Sequence, residues 1–101
     1  MYTLHVEHAI TDLDTWLRAF SSFGGVRRAA GVIEERIASP EDDPCYVVID
    51  LDFETFAAAA DFRTFLIQHV WSSPESSPAL VGLPRAQILQ AVSTRRREEV
   101  G

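Results

Sequence analysis

Apolar and polar residues alternate along residues 2–10, and this two-residue period is typical of a half-buried strand. One side of the strand carries Tyr2, Leu4, Val6, His8 and Ile10. The opposite side carries Thr3, His5, Glu7 and Ala9. His8 is therefore predicted to face the packed side of a sheet, among mostly apolar neighbours.

A helix is predicted next, because apolar residues recur three or four positions apart from Leu13 onward. These residues are Leu13, Trp16, Leu17, Phe20 and Phe23. Thr11 or Asp12 provides an N-cap, and the pair Gly24-Gly25 weakens or breaks the helix. The helix is expected to resume and to end at Gly31, since glycine favours the position that follows a helix.

Two strands joined by an acidic turn follow, over residues 32–38 and 45–53. The β-branched residues of the second strand predict a central, covered position in the sheet. A second helix is predicted to start at Asp52, Glu54 or Thr55 and to run to about Val70. One apolar side of this helix comprises Phe62, Phe65, Leu66 and His69, and the other comprises Phe56, Ala60, Ile67 and Val70.

The last part of the chain is predicted as a long connection over residues 71–84 and a final strand over residues 85–92. The connection contains Trp71 and Leu80 among its Ser and Pro residues, so it is expected to pack down or to be functional. Residues 1–94 are predicted to form one domain, and residues 95–101 a polar tail.

The predicted element order is β-α-β-β-α-β, which indicates a ferredoxin-like α+β fold with a four-stranded antiparallel sheet. Right-handed crossovers place the first strand beside the third and both helices on one face of the sheet. A chain of this length cannot cover the other face alone. The sequence therefore predicts a homodimer in which two subunits pack sheet to sheet as an α+β barrel.

Composition excludes several function classes. The 101 residues carry a net charge of −6, which argues against nonspecific binding to nucleic acid or to an anionic membrane. No apolar run reaches membrane-spanning length, and the N-terminus has no secretory pattern. The single cysteine, Cys45, cannot form an internal disulfide, so a reducing cytoplasm is the expected compartment.

Two absent residue types and the missing motifs narrow the chemistry further. The chain contains no lysine and no asparagine, so lysine Schiff-base chemistry is excluded. No glycine-rich phosphate loop or other cofactor motif occurs, so no cofactor is predicted.

Four short motifs carry a resemblance to a known superfamily. The run Val6-x-His8-x-Ile10-x-Asp12-x-Asp14-x-Trp16-x-x-x-Phe20 resembles the first strand and helix of dimeric α+β barrel proteins. The other three motifs are Arg28-Ala29-Ala30-Gly31-Val32, Asp42-Asp43-Pro44 and Gly82-Leu83-Pro84. Together they resemble the antibiotic-biosynthesis-monooxygenase-like superfamily, in particular its small uncharacterised actinobacterial members. The resemblance covers nearly the whole chain and implies the dimeric barrel.

The resemblance also implies classes of activity. The superfamily includes cofactor-free quinone-forming monooxygenases, haem-degrading monooxygenases and members without known chemistry. Haem-degrading members carry an asparagine on the first strand, and the similar position here is His8. Because the chain has no asparagine, haem degradation is not expected. The first hypothesis is a cofactor-free monooxygenase acting on an aromatic or polyketide-like compound.

His8 is the candidate catalytic base, facing a pocket between the sheet and the helices. The expected pocket walls are Trp16, Phe20, His69 and Trp71. The alternative is a core histidine whose ring is satisfied by a backbone group or by Asp12. In that case the protein is a non-catalytic ligand-binding or structural dimer.

A third hypothesis concerns the opposite side of the first strand. His5 and Glu7, with Asp50 or Asp52 on the neighbouring strand, form a small cluster that suits a metal-assisted site. The alternative is a hydrogen-bonded polar patch inside the dimer barrel.

Overall fold

The structure is a computed structural model that describes residues 1–96. In order, its elements are β1 (Tyr2–Ile10), α1 (Leu13–Ser22), α2 (Gly24–Ala29), β2 (Glu34–Ala38), β3 (Tyr46–Phe53), α3 (Phe56–Phe65), a π-helical turn (Leu66–Val70) and β4 (Leu80–Gln90). Arg95 and Arg96 follow outside any helix or strand. Most of the predicted polar tail, residues 97–101, lies outside the described residues.

The four strands form one antiparallel sheet in the order β2-β3-β1-β4. This order confirms the predicted ferredoxin-like α+β fold, with β1 beside β3 and β3 in a central position. In the β1–β3 pairing, His5 lies opposite Asp50 and His8 opposite Val47. The register therefore places His5 and His8 on opposite faces of the sheet, as the alternation along residues 2–10 predicts.

Local sequence explains where the first helices begin and end. Asp12 is the N-cap of α1, and its carboxylate accepts a hydrogen bond from the Thr15 backbone N–H at 2.8 Å. The helical path is interrupted at Phe23, and Gly24 then opens α2. Gly31 follows the end of α2 with a φ of 99°, a left-handed conformation that glycine adopts without a steric penalty.

The helices pack on one face of the sheet, and the core lies between the helices and that face. Leu4, Val47 and Phe53 have less than 2% of their surface exposed. Across this layer, Phe62 of α3 packs on Phe53, with ring centroids 6.0 Å apart. On the other face of the sheet, Asp52 is buried and the remaining side chains of β1 and β3 are only partly buried.

β4 differs most from its prediction, because it begins at Leu80 and not at residue 85. Glu7 pairs with Arg85 and Ala9 with Val81, which leaves a bulge of three residues opposite His8. The bulge contains Gly82, with a φ of 74°, followed by Leu83 and Pro84. A bulge tolerates the missing backbone N–H of proline, so residues that are typical of turns lie within a strand here.

The other boundaries shift by one or two residues. β2 begins at Glu34, two residues later than predicted, and β3 begins at Tyr46, directly after Cys45. In residues 1–96, no helix is long and apolar enough to cross a membrane.

Candidate functional site

A partly open cavity of about 80 Å³ lies between the sheet and the helices. β1 contributes His8 to its wall, and α1 contributes Trp16 and Phe20. The π-helical turn contributes Val70, and Trp71 follows directly. Four of the five predicted site residues therefore line this one cavity, namely His8, Trp16, Phe20 and Trp71.

A surface groove between α1 and the segment of residues 72–79 adjoins the cavity. Phe23 and Pro78 line both the cavity and an adjoining groove on the surface. The same groove carries Arg18 from the helix and Glu75 from the segment. A ligand that enters the apolar cavity by this route passes between two charged side chains.

His8 presents one ring nitrogen to the protein and leaves the other free. Its Nδ1 lies 3.0 Å from the backbone carbonyl oxygen of Ala9. Because a carbonyl oxygen only accepts, Nδ1 is the donor, and Nε2 of the neutral ring carries a lone pair. Within residues 1–96, Nε2 has no hydrogen-bond partner and is not fully buried.

Burial keeps the His8 ring neutral. The side chain is 6% exposed, and loss of hydration lowers the pKa of the imidazole below its ordinary value. The hydrogen bond to Ala9 acts in the opposite direction and is the smaller effect. A neutral histidine with an unbonded nitrogen on an apolar cavity can accept a proton or a hydrogen bond from a ligand hydroxyl.

Two aromatic contacts hold the wall beside His8. The Trp16 ring meets the His8 ring edge to face, with centroids 6.1 Å apart. The Phe20 ring stacks on the Trp16 ring, with centroids 4.9 Å apart. This aromatic surface is suited to a flat, apolar ligand.

His69 does not form the predicted wall. It is exposed, and its ring contacts Phe65 at a centroid distance of 5.5 Å. The cause is the π-helical turn, in which the Trp71 backbone N–H donates to the Leu66 carbonyl five residues earlier, at 2.7 Å. This wider turn shifts the helical phase, so that Val70 takes the inward position that an α-helix would give to His69.

Sequence reasoning missed Arg27, which also lines the cavity. Arg27 is only 5% exposed although it belongs to a short helix with an exposed neighbour, Arg28. A signal was available, because Phe20, Phe23 and Arg27 continue the three- and four-residue spacing of the apolar side. The Gly24-Gly25 pair conceals that continuity.

On the other face of the sheet, His5 lies between two carboxylates. Its Nδ1 is 2.6 Å from Asp50 and its Nε2 is 2.9 Å from Glu7, which also accepts from the Tyr46 hydroxyl at 2.7 Å. Carboxylates only accept, so both ring nitrogens donate and the ring is an imidazolium. The hydrogen bond to Glu7, followed by that to Asp50, raises the pKa of His5.

This arrangement is a hydrogen-bonded patch, and the metal-assisted site stays a prediction. Both nitrogens of His5 are engaged in hydrogen bonds with carboxylates. Asp52 belongs to a separate network, where it accepts from Thr3 and from Arg36. Among residues 1–96, no group of three or more His, Cys, Asp or Glu side chains is placed to hold a metal ion.

Comparison with solved structures identifies the fold. A monooxygenase of Streptomyces coelicolor, solved in complex with nanaomycin D, is 19% identical with a TM-score of 0.65, over 96% of this chain and 92% of that one. A cofactor-independent oxygenase from Streptomyces nogalater is 12% identical with a TM-score of 0.68, over 92% and 94%. A dimeric ferredoxin-like protein from an uncultured marine organism is 9% identical with a TM-score of 0.68, over 93% and 97%.

The chain therefore shares its fold with antibiotic biosynthesis monooxygenases and dimeric ferredoxin-like proteins. The predicted resemblance to this fold is confirmed, whereas the narrower likeness to actinobacterial members stays a prediction. No protein-family model matches the sequence, and no curated protein matches it significantly. At identities below one fifth, these likenesses concern the fold alone.

Proposed function

We propose that the chain is a dimeric, cofactor-free monooxygenase that binds a small hydroxylated aromatic compound in the cavity beside His8. The observation that carries this proposal is the unbonded Nε2 of a neutral histidine on a mostly apolar wall. Two structural relatives support the class of reaction, since one is a monooxygenase and the other a cofactor-independent oxygenase.

In the proposed reaction, Nε2 of His8 takes the proton of the aromatic hydroxyl group. The resulting phenolate reduces dioxygen, and the ring carbon para to the phenolate oxygen bonds to one oxygen atom. The oxygen–oxygen bond then breaks. One oxygen atom stays on the ring as the second carbonyl of a quinone, and the other leaves as water with the proton held by His8 and the displaced ring hydrogen. All the electrons come from the ring, so no further reductant is needed.

Aromatic side chains support the binding step. Trp16, Phe20 and Trp71 line the cavity, and aromatic surfaces of this kind hold flat ligands while excluding water. Exclusion of water favours the reaction because it keeps the reactive phenolate from premature protonation.

The volume of the cavity favours a single ring. At about 80 Å³ it is smaller than an engineered cavity of about 150 Å³ that binds benzene. A single ring can enter only with one edge in the mouth or with a small displacement of the wall. A polycyclic, polyketide-like substrate would require the segment around Ser76 and Pro78 to move away.

A sheet-to-sheet dimer is part of the proposal. In residues 1–96 of one chain, no helix covers the face of the sheet that carries His5 and Glu7, and two structural relatives are dimeric ferredoxin-like proteins. A second copy would enclose the hydrogen-bonded patch inside a barrel. We place the protein in a reducing cytoplasm, since Cys45 is a free thiol.

The second candidate function is a non-catalytic ligand-binding or structural dimer. It is favoured by the contacts of His8, whose Nδ1 is satisfied by Ala9 and whose ring packs on Trp16 as a core side chain would. Both candidates share the cavity. They differ in whether dioxygen is consumed.

An oxygen electrode separates the two. With phenol and no added metal or cofactor, the enzyme hypothesis predicts oxygen uptake by the native protein and none above the background by His8→Phe. His5→Gln, on the other face of the sheet, serves as the matched control and should retain uptake. Binding without uptake in the native protein would instead establish the non-catalytic function.

A further inference from the structure

Arg27 is held in a fixed position at the cavity wall. Its Nε and Nη2 donate to the two carboxylate oxygens of Glu35, at 2.6 and 3.3 Å, and its Nη1 donates to the Phe20 carbonyl at 2.6 Å. The guanidinium carbon lies 3.6 Å from the centroid of the Phe20 ring. Hydrogen bonds hold the edges of the planar guanidinium group and the Phe20 ring packs on its face, so its orientation is fixed without a ligand.

These contacts do not exhaust the donors of the guanidinium group. An arginine side chain has five N–H bonds, of which three are used here, and one hydrogen on each terminal nitrogen remains. Within residues 1–96, these hydrogens have no protein acceptor. Arg27 lines the cavity, so a ligand bound there lies beside this side chain.

Arg27 is also the only ionised side chain among the described residues that line the cavity. Its partner Glu35 is on the outer side, with 39% of its side chain exposed, against 7% for Arg27. Water therefore screens the carboxylate more than the guanidinium. The charge of the guanidinium is thus less screened than that of its partner, and charge interactions are strong in an apolar setting.

We propose that Arg27 binds an anionic oxygen of the ligand, so that the cavity selects aromatic compounds that carry or acquire a negative charge. The ligand class is phenolates and aromatic carboxylates, in preference to neutral aromatics of the same shape. This inference rests on the proposed function, in which the cavity is a ligand site and His8 produces a phenolate. In that setting Arg27 positions and stabilises the anion that His8 creates.

Benzoate and benzamide form a matched pair of probes, since they have similar shapes and differ in charge. Both tryptophans of the chain, Trp16 and Trp71, line the cavity, so intrinsic fluorescence reports directly on its occupation. The native protein should bind benzoate about tenfold more tightly than benzamide, as expected for a charge-assisted hydrogen bond. Arg27→Gln should bind the two probes equally.

Two further variants keep the test decisive. Glu35→Gln retains a hydrogen-bond acceptor but removes the opposing charge, so its preference for benzoate should exceed that of the native protein. Arg28→Gln removes the same charge from an exposed neighbour and should leave the preference unchanged. If Arg27→Gln does not fold, the Glu35→Gln result alone decides.

The outcomes separate this inference from the proposed function. Equal binding of benzoate and benzamide by the native protein, or an unchanged preference in Glu35→Gln, overturns the role of Arg27 and leaves the cavity as a ligand site. Failure of both probes to change the fluorescence of the native protein overturns the ligand site itself, and the role of Arg27 with it.

Discussion

The rings of His8 and Trp16 meet edge to face across the boundary between sheet and helix, with centroids 6.1 Å apart and planes inclined at 62°. The strand positions one ring and the helix positions the other, so the contact couples the candidate base to the aromatic wall. Trp16 is 8% exposed and in turn stacks on Phe20. One side chain therefore contributes to both the stability of the fold and the shape of the site.

Replacement of this tryptophan should be costly. Trp16→Ala is expected to lower the free energy of unfolding by about 3–5 kcal/mol, because a large buried ring is lost and a void remains. Urea denaturation measures the change. Trp71→Ala, at a less buried position of the same wall, should cost less. A loss below about 1 kcal/mol for Trp16→Ala would contradict the role of this ring in the core.

The lowered pKa of His8 predicts a loss of stability on acidification. Because the folded state disfavours the charged ring, the unfolded state binds the proton more readily. The contribution of the neutral ring is complete above the ordinary histidine pKa of about 6.5 and decreases as the pH falls through the lower, folded value. The free energy of unfolding of the native protein, relative to that of His8→Gln, should decrease from about pH 8 to about pH 5, as measured by urea denaturation. A difference independent of pH would contradict a buried neutral histidine.

His5 predicts the opposite slope. Its pKa is raised by Glu7 and then by Asp50, so the folded state favours the imidazolium. The stabilisation is complete below about 6.5 and is lost as the pH rises through the higher, folded value. It should be modest and should weaken with added salt, because the group is partly exposed. Thermal unfolding of the native protein and of His5→Gln, measured from about pH 5 to about pH 8, tests this stabilisation. A stabilisation that persists at alkaline pH would count against the ion pairs.

The sheet-to-sheet dimer is tested at the centre of the uncovered face. Val48 lies there, opposite Glu7 on β1 and Ala38 on β2. Val48→Lys would bury a long, charged side chain between two sheets, so it should convert the dimer to a monomer. Light scattering coupled to size-exclusion chromatography reports the mass. Thr64→Lys adds the same charge to the exposed side of α3 and should leave the dimer intact. A native protein that elutes with the mass of one chain would contradict the dimer directly.

Strand periodicity predicts most of the fold. The alternation of residues 2–10 places His8 and His5 on opposite faces, and the β-branched run of β3 predicts its central position. The start of β4 could not be predicted in this way, because Gly82 and Pro84 are typical of turns and their role depends on the pairing with β1. Local patterns do not contain that pairing.

The candidate site is less accessible to sequence reasoning. Trp16, Phe20 and Trp71 are predictable as wall residues because they lie on apolar faces or directly after a helix. His69 is misplaced because one π-helical turn shifts the helical phase. Arg27 is missed because the Gly24-Gly25 pair conceals its place in the apolar spacing, and because its burial also depends on Glu35 on β2.

We propose that Nε2 of His8 accepts a hydrogen bond from the hydroxyl group of an aromatic ligand. Tryptophan fluorescence titrations with phenol and with methoxybenzene, which lacks the donor hydrogen, test it most directly. The native protein should bind phenol about fivefold more tightly than methoxybenzene, as expected for one neutral hydrogen bond, and His8→Phe should lose that preference. The same ratio of affinities in the native protein and in His8→Phe would contradict the claim.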